Sequence, residues 1–386
     1  MIFSEDRLPE FRKRLFAWFK ATKRDLPWRM IPADPNRPIF RDPYPVWISE
    51  IMLQQTTTAA VEGYFRRFLA RFPDLPSLAN ADQKEVFQLW EGLGYYRRAA
   101  LLHRAAQTIM EKYNGQFPEN YHDVLNLPGI GRYTAGAILS IAFDQRLPIL
   151  EANTIRLHSR LIGLEEDPST RKGSERLWEF AEKILPQKKV GIFNQILMDL
   201  GSLICTPKAP RCEQCPAVAF CSAAKTGSQD LIPAAKKKAE KEYRNEAAFL
   251  VRKSRKDRRF LLIRYPQGCR WAGLWDFPRF LQISDQDPGT DPLFPDRITA
   301  LIGSLTGRSK EKEIRTGSLL HKMKHTVTRY GITLYFFDTE RTDKIISLPR
   351  SKEIELAAGT VVPADLEFLW TDPQTAKDLP MSSSGR

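Results

Sequence analysis

The sequence predicts a multidomain protein in which an all-α domain, residues 1–232, is followed by an α+β domain, residues 244–370. Before residue 230, apolar residues recur at helical spacing and almost never alternate as they would in strands. The composition changes at residues 233–243, a Lys-rich stretch typical of a solvated linker. Beyond the linker, apolar residues alternate or cluster as in strands, between turn-rich segments. Residues 371–386 are predicted to form a loose tail.

The apolar pattern predicts individual elements in chain order. In the first domain it favours helices at 7–22, 46–70 (one or two helices), 83–91, 95–113, 119–126, 132–143, 152–162, 174–184 and 192–203. In the second domain it favours strands at 247–251, 259–265 and 332–337.

The charge balance favours a polyanionic partner. There are 59 Lys and Arg against 46 Asp and Glu, a net charge of +13, and nucleic acid is the first candidate. A merely basic protein remains the alternative. No apolar run reaches membrane-spanning length, and the N-terminus does not resemble a secretory signal. We therefore expect a cytoplasmic protein, associated with the nucleoid in a bacterium.

Residues 127–138 read LPGIGRYTAGAI, the turn and second helix of a helix–hairpin–helix motif. Pro128 closes the preceding helix, and Gly129 and Gly131 permit backbone angles that other residues avoid. The next helix opens near Arg132, so its free N–H groups lie beside the glycines and suit a DNA phosphate. An ordinary helix connection with a Gly-rich bend is the alternative.

Four of the five cysteines fall in one short loop, at 205–221. Cys205, Cys212, Cys215 and Cys221 are separated by six, two and five residues. Thiolates this close in sequence indicate a metal centre, either an iron–sulfur cluster or tetrahedral zinc. Zinc ribbons more often use two separated Cys-x-x-Cys pairs, so a [4Fe–4S] cluster is the favoured interpretation.

Two carboxylates have the surroundings that glycosidic bond cleavage requires. Glu50 lies in WISEIMLQQT, residues 47–56, which is apolar on nearly every helical face. Burial there would raise its pKa and make it a general acid, although an exposed Glu is equally compatible with the pattern. Glu151 stands at a helix start, where backbone amides would keep it ionised; an ordinary helix-terminal charge is the alternative. An acid and a carboxylate flanking one site can stabilise an oxocarbenium-like transition state.

Taken together, these strings resemble the adenine-specific mismatch DNA glycosylases of the helix–hairpin–helix superfamily, the MutY family. The matching strings cover the first ~225 residues and are LPWR at 26–29, WISEIMLQQT at 47–56, GLGYYR at 92–97, the hairpin, MDLG at 198–201 and the cysteine loop. The resemblance implies a monomer that removes adenine opposite 8-oxoguanine or guanine in double-stranded DNA. It also implies a [4Fe–4S] cluster and a Nudix-like C-terminal domain for lesion recognition.

The resemblance also assigns roles by position. Glu50 would protonate adenine at N7, and Glu151 would stabilise the sugar cation. Tyr133 and Asn153 would hold the reacting nucleotide and the carboxylate. The predicted adenine pocket comprises Arg24, Trp28, Arg29 and Gln55. Tyr95 would insert into the base stack opposite.

Two positions depart from the family pattern. The family usually has Asp at the position of Glu151, and the extra methylene shifts the carboxylate by roughly an ångström; we expect the local backbone to compensate. The segment that recognises oxidised guanine usually reads Phe-Ser-His, where this chain has Val327, Thr328 and Arg329. The hydroxyl is kept, and a guanidinium can still donate to the lesion or its phosphate.

Three rival functions are disfavoured by specific residues. A bifunctional glycosylase needs an amine nucleophile in the hairpin, where this chain has Tyr133; secondary strand cleavage by another Lys is the alternative. A Nudix pyrophosphohydrolase needs a metal-binding Arg-Glu…Glu-Glu helix, which is missing from the sequence between Gly273 and Gly307. A non-catalytic DNA-binding protein would have no need of Glu50 in its full motif.

Overall fold

The computed structural model divides the chain into two compact units. They comprise Met1–Leu93 with Arg98–Lys237, and Gly94–Arg97 with Lys238–Arg386. The residues that the structure describes are 5–29, 33–34, 37–234, 241–252, 257, 259–265, 273–281, 316–327, 330–339, 354–356, 360–362, 367–377 and 379–382. In this part of the chain, no helix is both long and apolar enough to cross a membrane.

The first unit is helical, as the apolar periodicity predicts. Its α-helices are α1 (Leu8–Thr22), α2 (Pro43–Leu53), α3 (Thr58–Arg71), α4 (Leu75–Ala79), α5 (Gln83–Trp90), α6 (Arg97–Lys112), α7 (Tyr121–Leu125), α8 (Arg132–Phe143), α9 (Ala152–Ile162), α10 (Arg171–Lys183), α11 (Val190–Leu203) and α12 (Ser222–Thr226). The region 46–70 is two helices, separated by a turn in which Gln55 has a φ of 59°. Two short antiparallel strands, β1 (Ala33–Asp34) and β2 (Arg37–Arg41), and the short helix α4 were not predicted.

One hydrophobic core joins the two ends of this unit. Leu8, Phe11 and Leu15 of α1 pack with apolar residues of α9 and α11 and with Phe220 of the cysteine loop. The ring centroids of Phe11 and Phe220 are 5.4 Å apart, with the rings edge-to-face. The N-terminal helix therefore stabilises the loop that carries the cysteines, although about 200 residues separate them in sequence.

The second unit is built mainly of strands. They are β3 (Glu242–Leu250), β4 (Phe260–Arg264), β5 (Trp275–Asp276), β6 (Arg279–Leu281), β7 (Thr316–Val327), β8 (Tyr330–Thr339), β9 (Ile354–Leu356), β10 (Thr360–Val362) and β11 (Glu367–Thr371). They form sheets in the orders β6-β3-β8-β7, β11-β4-β5 and β10-β9. β3 and β8 pair in parallel and β7 and β8 antiparallel. The three strands that the sequence predicts overlap β3, β4 and β8, and each boundary agrees to within one residue only for β4.

The loose tail predicted from residue 371 is wrong as far as Ser382. Thr371 ends β11, and Pro373–Ala376 forms a short helix, α13. Leu379 and Met381 are buried against Phe260 and Leu262, and Met381 forms a parallel bridge with Trp275. The apolar side chains of Leu379 and Met381, two positions apart, attach the end of the chain to this core. The Ser-rich sequence that follows them is typical of a free terminus.

Candidate functional site

The first unit contains a cleft of about 700 Å³ between the segments that carry the predicted site residues. Eight of those residues line it together: Arg24, Trp28, Arg29, Glu50, Gln55, Tyr133, Glu151 and Asn153. They come from four stretches that are far apart in sequence. The cleft is large enough for a small organic group such as a nucleobase with part of its sugar.

Glu50 is a buried acid at the wall of this cleft. It lies on α2, in which nine of eleven residues are buried, and its own exposure is 5%. The Tyr133 hydroxyl donates to Glu50 Oε2 at 2.7 Å. Burial raises the pKa of Glu50 to about 7, helped by the charge of Glu151 and opposed by the Tyr133 hydrogen bond and by Arg29. A substantial fraction of Glu50 therefore carries a proton at neutral pH, and the alternative of an exposed Glu is wrong.

Tyr133 is the second residue of α8, directly after the hairpin. Burial and the neighbouring Glu50 hold its pKa well above the usual value for a phenol. The side chain is therefore a neutral hydroxyl that donates to Glu50 over the whole working pH range. The hairpin thus contacts the acid directly through this one side chain.

Glu151 caps the N-terminus of α9 with both carboxylate oxygens. Oε2 accepts from the backbone N–H of Asn153 at 2.8 Å, and Oε1 accepts from that of Thr154 at 2.9 Å. The Thr154 hydroxyl accepts in turn from the Glu151 N–H, which completes a capping box. The helix amides favour the ionised form, as the sequence predicts, but burial outweighs them and raises the pKa of Glu151 overall.

Asn153 connects this carboxylate to a buried arginine that sequence reasoning missed. Its Nδ2 donates to Glu151 Oε2 at 3.1 Å, and its Oδ1 accepts from Arg156 Nη2 at 2.9 Å. Arg156 also donates to the carbonyls of Gly201 and Cys205, both at 2.7 Å. A Cβ on Gly201 would lie 2.8 Å from Asn153 Cβ, so only glycine lets α11 pass this close. No sequence pattern marks Arg156, since the two carbonyls to which it donates lie more than 40 residues away.

Asp199 is a second residue that the sequence did not single out, although its string, MDLG, belongs to the matching set. The carboxylate is fully buried and accepts from two predicted pocket residues. Arg24 donates through Nε at 3.0 Å, and Arg29 donates through Nη1 and Nη2 at 2.6 and 2.9 Å. Because both guanidiniums are fixed by one anion, Arg24 and Arg29 are held against the cleft in defined orientations.

Trp28 and Gln55 are the two other predicted pocket residues that line the cleft. Trp28 is 7% exposed, and its ring packs edge-on against Phe65 at 5.6 Å between centroids. Gln55 lies in the turn after α2 with a left-handed backbone. Both nevertheless line the cleft, so core packing and a role in the site are compatible for Trp28.

The hairpin differs from expectation at one glycine. Gly129 has a φ of 80°, and a Cβ there would lie 2.8 Å from Leu101 Cβ. Gly131 has an ordinary extended backbone, with a φ of −105°, and a Cβ there would have no neighbouring atom within 4 Å. The expectation that Gly131 needs glycine's backbone freedom is therefore wrong; at Gly131 the missing side chain leaves open space. Arg132 is exposed, and its guanidinium lies 3.8 Å above the Trp178 ring.

Three predicted binding residues remain, namely Tyr95, Thr328 and Arg329. Tyr95 is 52% exposed and has a φ of 51°. Thr328 and Arg329, assigned to lesion recognition, are outside the residues that the structure describes. They follow the end of β7 at Val327 directly.

The four cysteines surround one small cavity, together with Arg160 and apolar side chains. Arg160 Nη1 donates to Cys205 Sγ at 3.4 Å. Burial raises the pKa of Cys215 to about 12 and also raises those of Cys212 and Cys221, so these three side chains would be thiols in an unliganded loop. Among the described residues, no three potential ligands are gathered closely enough to hold a single metal ion. Four cysteine sulfurs around one cavity are ligands of the type that an iron–sulfur cluster or a zinc ion takes.

Comparison with known proteins gives the family of the chain. Residues 48–183 match the HhH-GPD superfamily base excision DNA repair protein model. The chain is 40% identical to adenine DNA glycosylase of Buchnera aphidicola from Schizaphis graminum over 271 residues, 70% of this chain and 75% of that protein. It is 33% identical to adenine DNA glycosylase of Schizosaccharomyces pombe over 372 residues, 84% of this chain and 81% of that protein.

Two further matches are shorter. The adenine DNA glycosylase of Rattus norvegicus is 42% identical over 214 residues, 55% of this chain, and the matched region spans only 41% of the rat protein. The solved structure of a thermostable thymine-DNA glycosylase aligns with a TM-score of 0.51 at 29% identity, covering 57% of this chain and 98% of that one. With the cleft and its paired acids, these matches show that the chain belongs to the adenine DNA glycosylase (MutY) family of helix–hairpin–helix base excision repair proteins.

Proposed function

We propose that this chain excises adenine mispaired with 8-oxoguanine or guanine in double-stranded DNA, by hydrolysis of the N-glycosidic bond. The observation that carries the proposal is Glu50, a buried carboxyl with a pKa of about 7 that faces a cleft also lined by Glu151. A general acid works best when its pKa lies near the working pH. The relatives share the name adenine DNA glycosylase, which indicates that the excised nucleobase is adenine.

The chemistry follows from the two carboxyl groups. Adenine enters the cleft from an extrahelical nucleotide, and Glu50 transfers its proton to N7. The C1′–N9 bond then breaks with its electron pair going to the base, which leaves as neutral adenine. Carboxylate Glu151 stabilises or adds to the sugar cation, and water supplies hydroxide to C1′ and a proton to a carboxylate. The product is an abasic site.

The reaction is proposed to stop at that abasic site. Strand cleavage by a bifunctional glycosylase requires an amine that forms an imine with C1′. At the hairpin position suited to that amine the chain has Tyr133, a phenol that hydrogen-bonds to Glu50 at 2.7 Å. A phenol has no nitrogen and therefore cannot form an imine with C1′.

Preference for the oxidised mispair is assigned to the second unit, as a Nudix-like recognition domain. Thr328 and Arg329 would contact the guanine opposite adenine, and Tyr95 would insert beside it. The two long strands β7 and β8 support this assignment, since Thr328 and Arg329 are the two residues of the sequence between the end of β7 at Val327 and the start of β8 at Tyr330. Arg132, exposed beside the hairpin amides, and the net charge of +13 favour phosphate contacts.

A [4Fe–4S] cluster is proposed for the cysteine loop. Cys205, Cys212, Cys215 and Cys221 would each supply a thiolate, and the cluster would supply electron-transfer capacity and fix the loop. Arg160, whose Nη1 donates to the Cys205 sulfur at 3.4 Å, would place a positive charge beside the cluster. No step of adenine excision passes through the cluster.

The proposal is tested on duplexes with adenine opposite 8-oxoguanine, guanine or thymine. The protein should release adenine from the first two, and the labelled adenine strand should break at that site only after alkali. Breakage without alkali would contradict a reaction that stops at the abasic site. Glu50→Gln should bind the duplex with unchanged affinity and lose excision by at least ~100-fold. No adenine release by the wild-type protein would overturn the proposal.

A further inference from the structure

Arg98, the second residue of α6, donates to four backbone carbonyls. Its Nη1 reaches the carbonyl oxygens of Ile51 at 2.7 Å, Met52 at 3.1 Å and Gln54 at 2.6 Å. Its Nη2 reaches the carbonyl of Leu93 at 3.2 Å. The guanidinium also lies 5.4 Å from the centre of the Trp90 ring. One side chain thus joins the C-terminal end of α2 to the residue that precedes the segment 94–97.

The first three of these carbonyls belong to the end of the helix that carries Glu50. The last carbonyls of a helix have no partner within it, and a cation placed there is stabilising. α2 ends at Leu53, and Gln55 then adopts a left-handed backbone that residues with a side chain rarely take. Arg98 therefore fixes a turn that would otherwise have several conformations open to it.

That turn forms part of the cleft. Gln54 and Gln55 both line it, and Gln54 Nε2 donates to the Thr134 hydroxyl at 3.4 Å, next to Tyr133 on α8. A change in the turn would therefore move the pocket wall and the end of the helix that holds Glu50. Displacements of about an ångström in such a site lower reaction rates by about 100-fold.

The fourth carbonyl is that of Leu93, the residue directly before the segment that carries Tyr95. Leu93 and Arg98 bracket the segment Gly94–Arg97, which carries the exposed Tyr95. We infer that Arg98 couples this segment to the C-terminal end of α2, so that insertion of Tyr95 into a duplex sets the position of the Gln54–Gln55 turn for excision. Arg98 is a positioning residue, since it touches neither base nor sugar. The inference rests on the proposed function. It adds a structural link, through Arg98, that makes adenine excision depend on the insertion of Tyr95 into the duplex.

Arginine is the residue that this role requires. Its planar fork presents donors in several directions, whereas the ammonium of lysine is one compact charge that cannot reach both ends. Arg98→Lys should therefore keep the positive charge and lose the link. Arg104→Lys, on an exposed position of the same helix, is the matched control and should leave the excision rate unchanged.

The test is a double-variant comparison of single-turnover excision from a duplex with adenine opposite 8-oxoguanine. Tyr95→Leu and Arg98→Lys should each slow excision about 10- to 100-fold. Because both break the same link, the double variant should be no slower than the slower single variant, within about threefold. Multiplied losses in the double variant, or an Arg98→Lys rate within about twofold of wild type, would overturn the inference.

A second measurement needs no Arg98 variant and so survives a failure of Arg98→Lys to fold. Hydrogen–deuterium exchange of residues 50–57 is compared with and without saturating duplex, in wild-type protein and in Tyr95→Leu. Duplex should slow exchange of this segment in wild type and much less in Tyr95→Leu; equal protection in both would refute the coupling. This measurement requires only duplex binding, whereas absence of adenine release from wild type would overturn the proposed function alone.

Discussion

Glu50 shows how burial turns an ordinary carboxyl into an acid for neutral pH. Its pKa of about 7 lies well above the usual value for Glu because desolvation disfavours the charged form. The protonated form is the reactive one, so the active fraction is high below pH 7 and declines as the pH rises through 7.

We therefore expect the single-turnover excision rate to fall about tenfold per pH unit well above pH 7. Rates are measured from pH 5.5 to 9 at saturating enzyme. Duplex affinity measured at each pH is the control, since a loss of binding would mimic the trend. A rate that stays flat up to pH 9 would show that Glu50 is not the acid.

Glu151 is one of the two positions at which the sequence is expected to depart from the family pattern, and its geometry shows how a Glu side chain is accommodated there. The carboxylate folds back onto α9 and accepts from two backbone amides. Asp is also a good N-cap residue and would keep at least one of these hydrogen bonds.

For Glu151→Asp we predict an excision rate within about tenfold of wild type, because the cap geometry compensates for the extra methylene. Glu151→Gln is the comparison, and it should be much slower because it removes the negative charge. Single-turnover rates decide the matter. A gain of about 100-fold or more in Glu151→Asp would mean that the natural site is impaired.

At the scale of elements, the hairpin contains two glycines that the structure distinguishes. Gly129 has a positive φ and a close neighbour in Leu101, whereas Gly131 has neither. Only the first therefore requires glycine for the fold of the turn.

We expect Gly129→Ala to lower the free energy of unfolding by about 2 kcal/mol, from its left-handed backbone and the clash with Leu101. Gly131→Ala should leave the free energy of unfolding within about 1 kcal/mol of wild type, or raise it slightly. Urea unfolding of the two variants provides the measurement. Equal destabilisation by both would contradict the hairpin geometry.

The cysteine loop is the element that would hold the proposed cluster. It shares a hydrophobic core with α1, so we expect loss of the cluster to destabilise the first unit as a whole.

Purified protein should be brown and contain about four iron and four sulfide per chain. Cys212→Ser should lower both the iron content and the unfolding temperature. Visible absorbance and metal analysis measure the iron content, and thermal unfolding measures the unfolding temperature. Cys212 is the ligand to replace, because it is more exposed than Cys205 and its loss disturbs the apolar core less. A colourless protein with one zinc would reject the cluster.

At the scale of the whole molecule, the two compact units allow their contributions to be separated. The first unit contains the cleft and both acids, and its described residues extend to 234. Residue 233 is a suitable end point, since the Ile232 carbonyl accepts from Arg160 at 2.9 Å and would be kept.

A chain truncated after Pro233 should retain adenine excision and lose most of its preference for 8-oxoguanine over guanine opposite adenine. Excision rates on the two duplexes give the ratio, and thermal unfolding confirms that the shortened chain folds. If both rates fell by the same factor, the second unit would have no part in choosing the mispair.

The sequence by itself determined the longer helices of the first unit, the hairpin and eight of the residues that line the cleft. Helical periodicity and short motifs are local properties, so they can be seen without knowing how the chain packs. The same local signals failed at the tail, where Leu379 and Met381 join a core formed by residues about 120 positions earlier.

Only the tertiary structure decided the chemical state of the site. Whether Glu50 is buried or exposed was open in sequence, and Tyr133, its hydrogen-bond partner, lies 83 residues away. Asp199 fixes Arg24 across 175 residues, and Arg98 reaches Gln54 across 44. Desolvation and charge pairing depend on which distant segments pack together, and they set the pKa of Glu50 and the positions of Arg24 and Arg29.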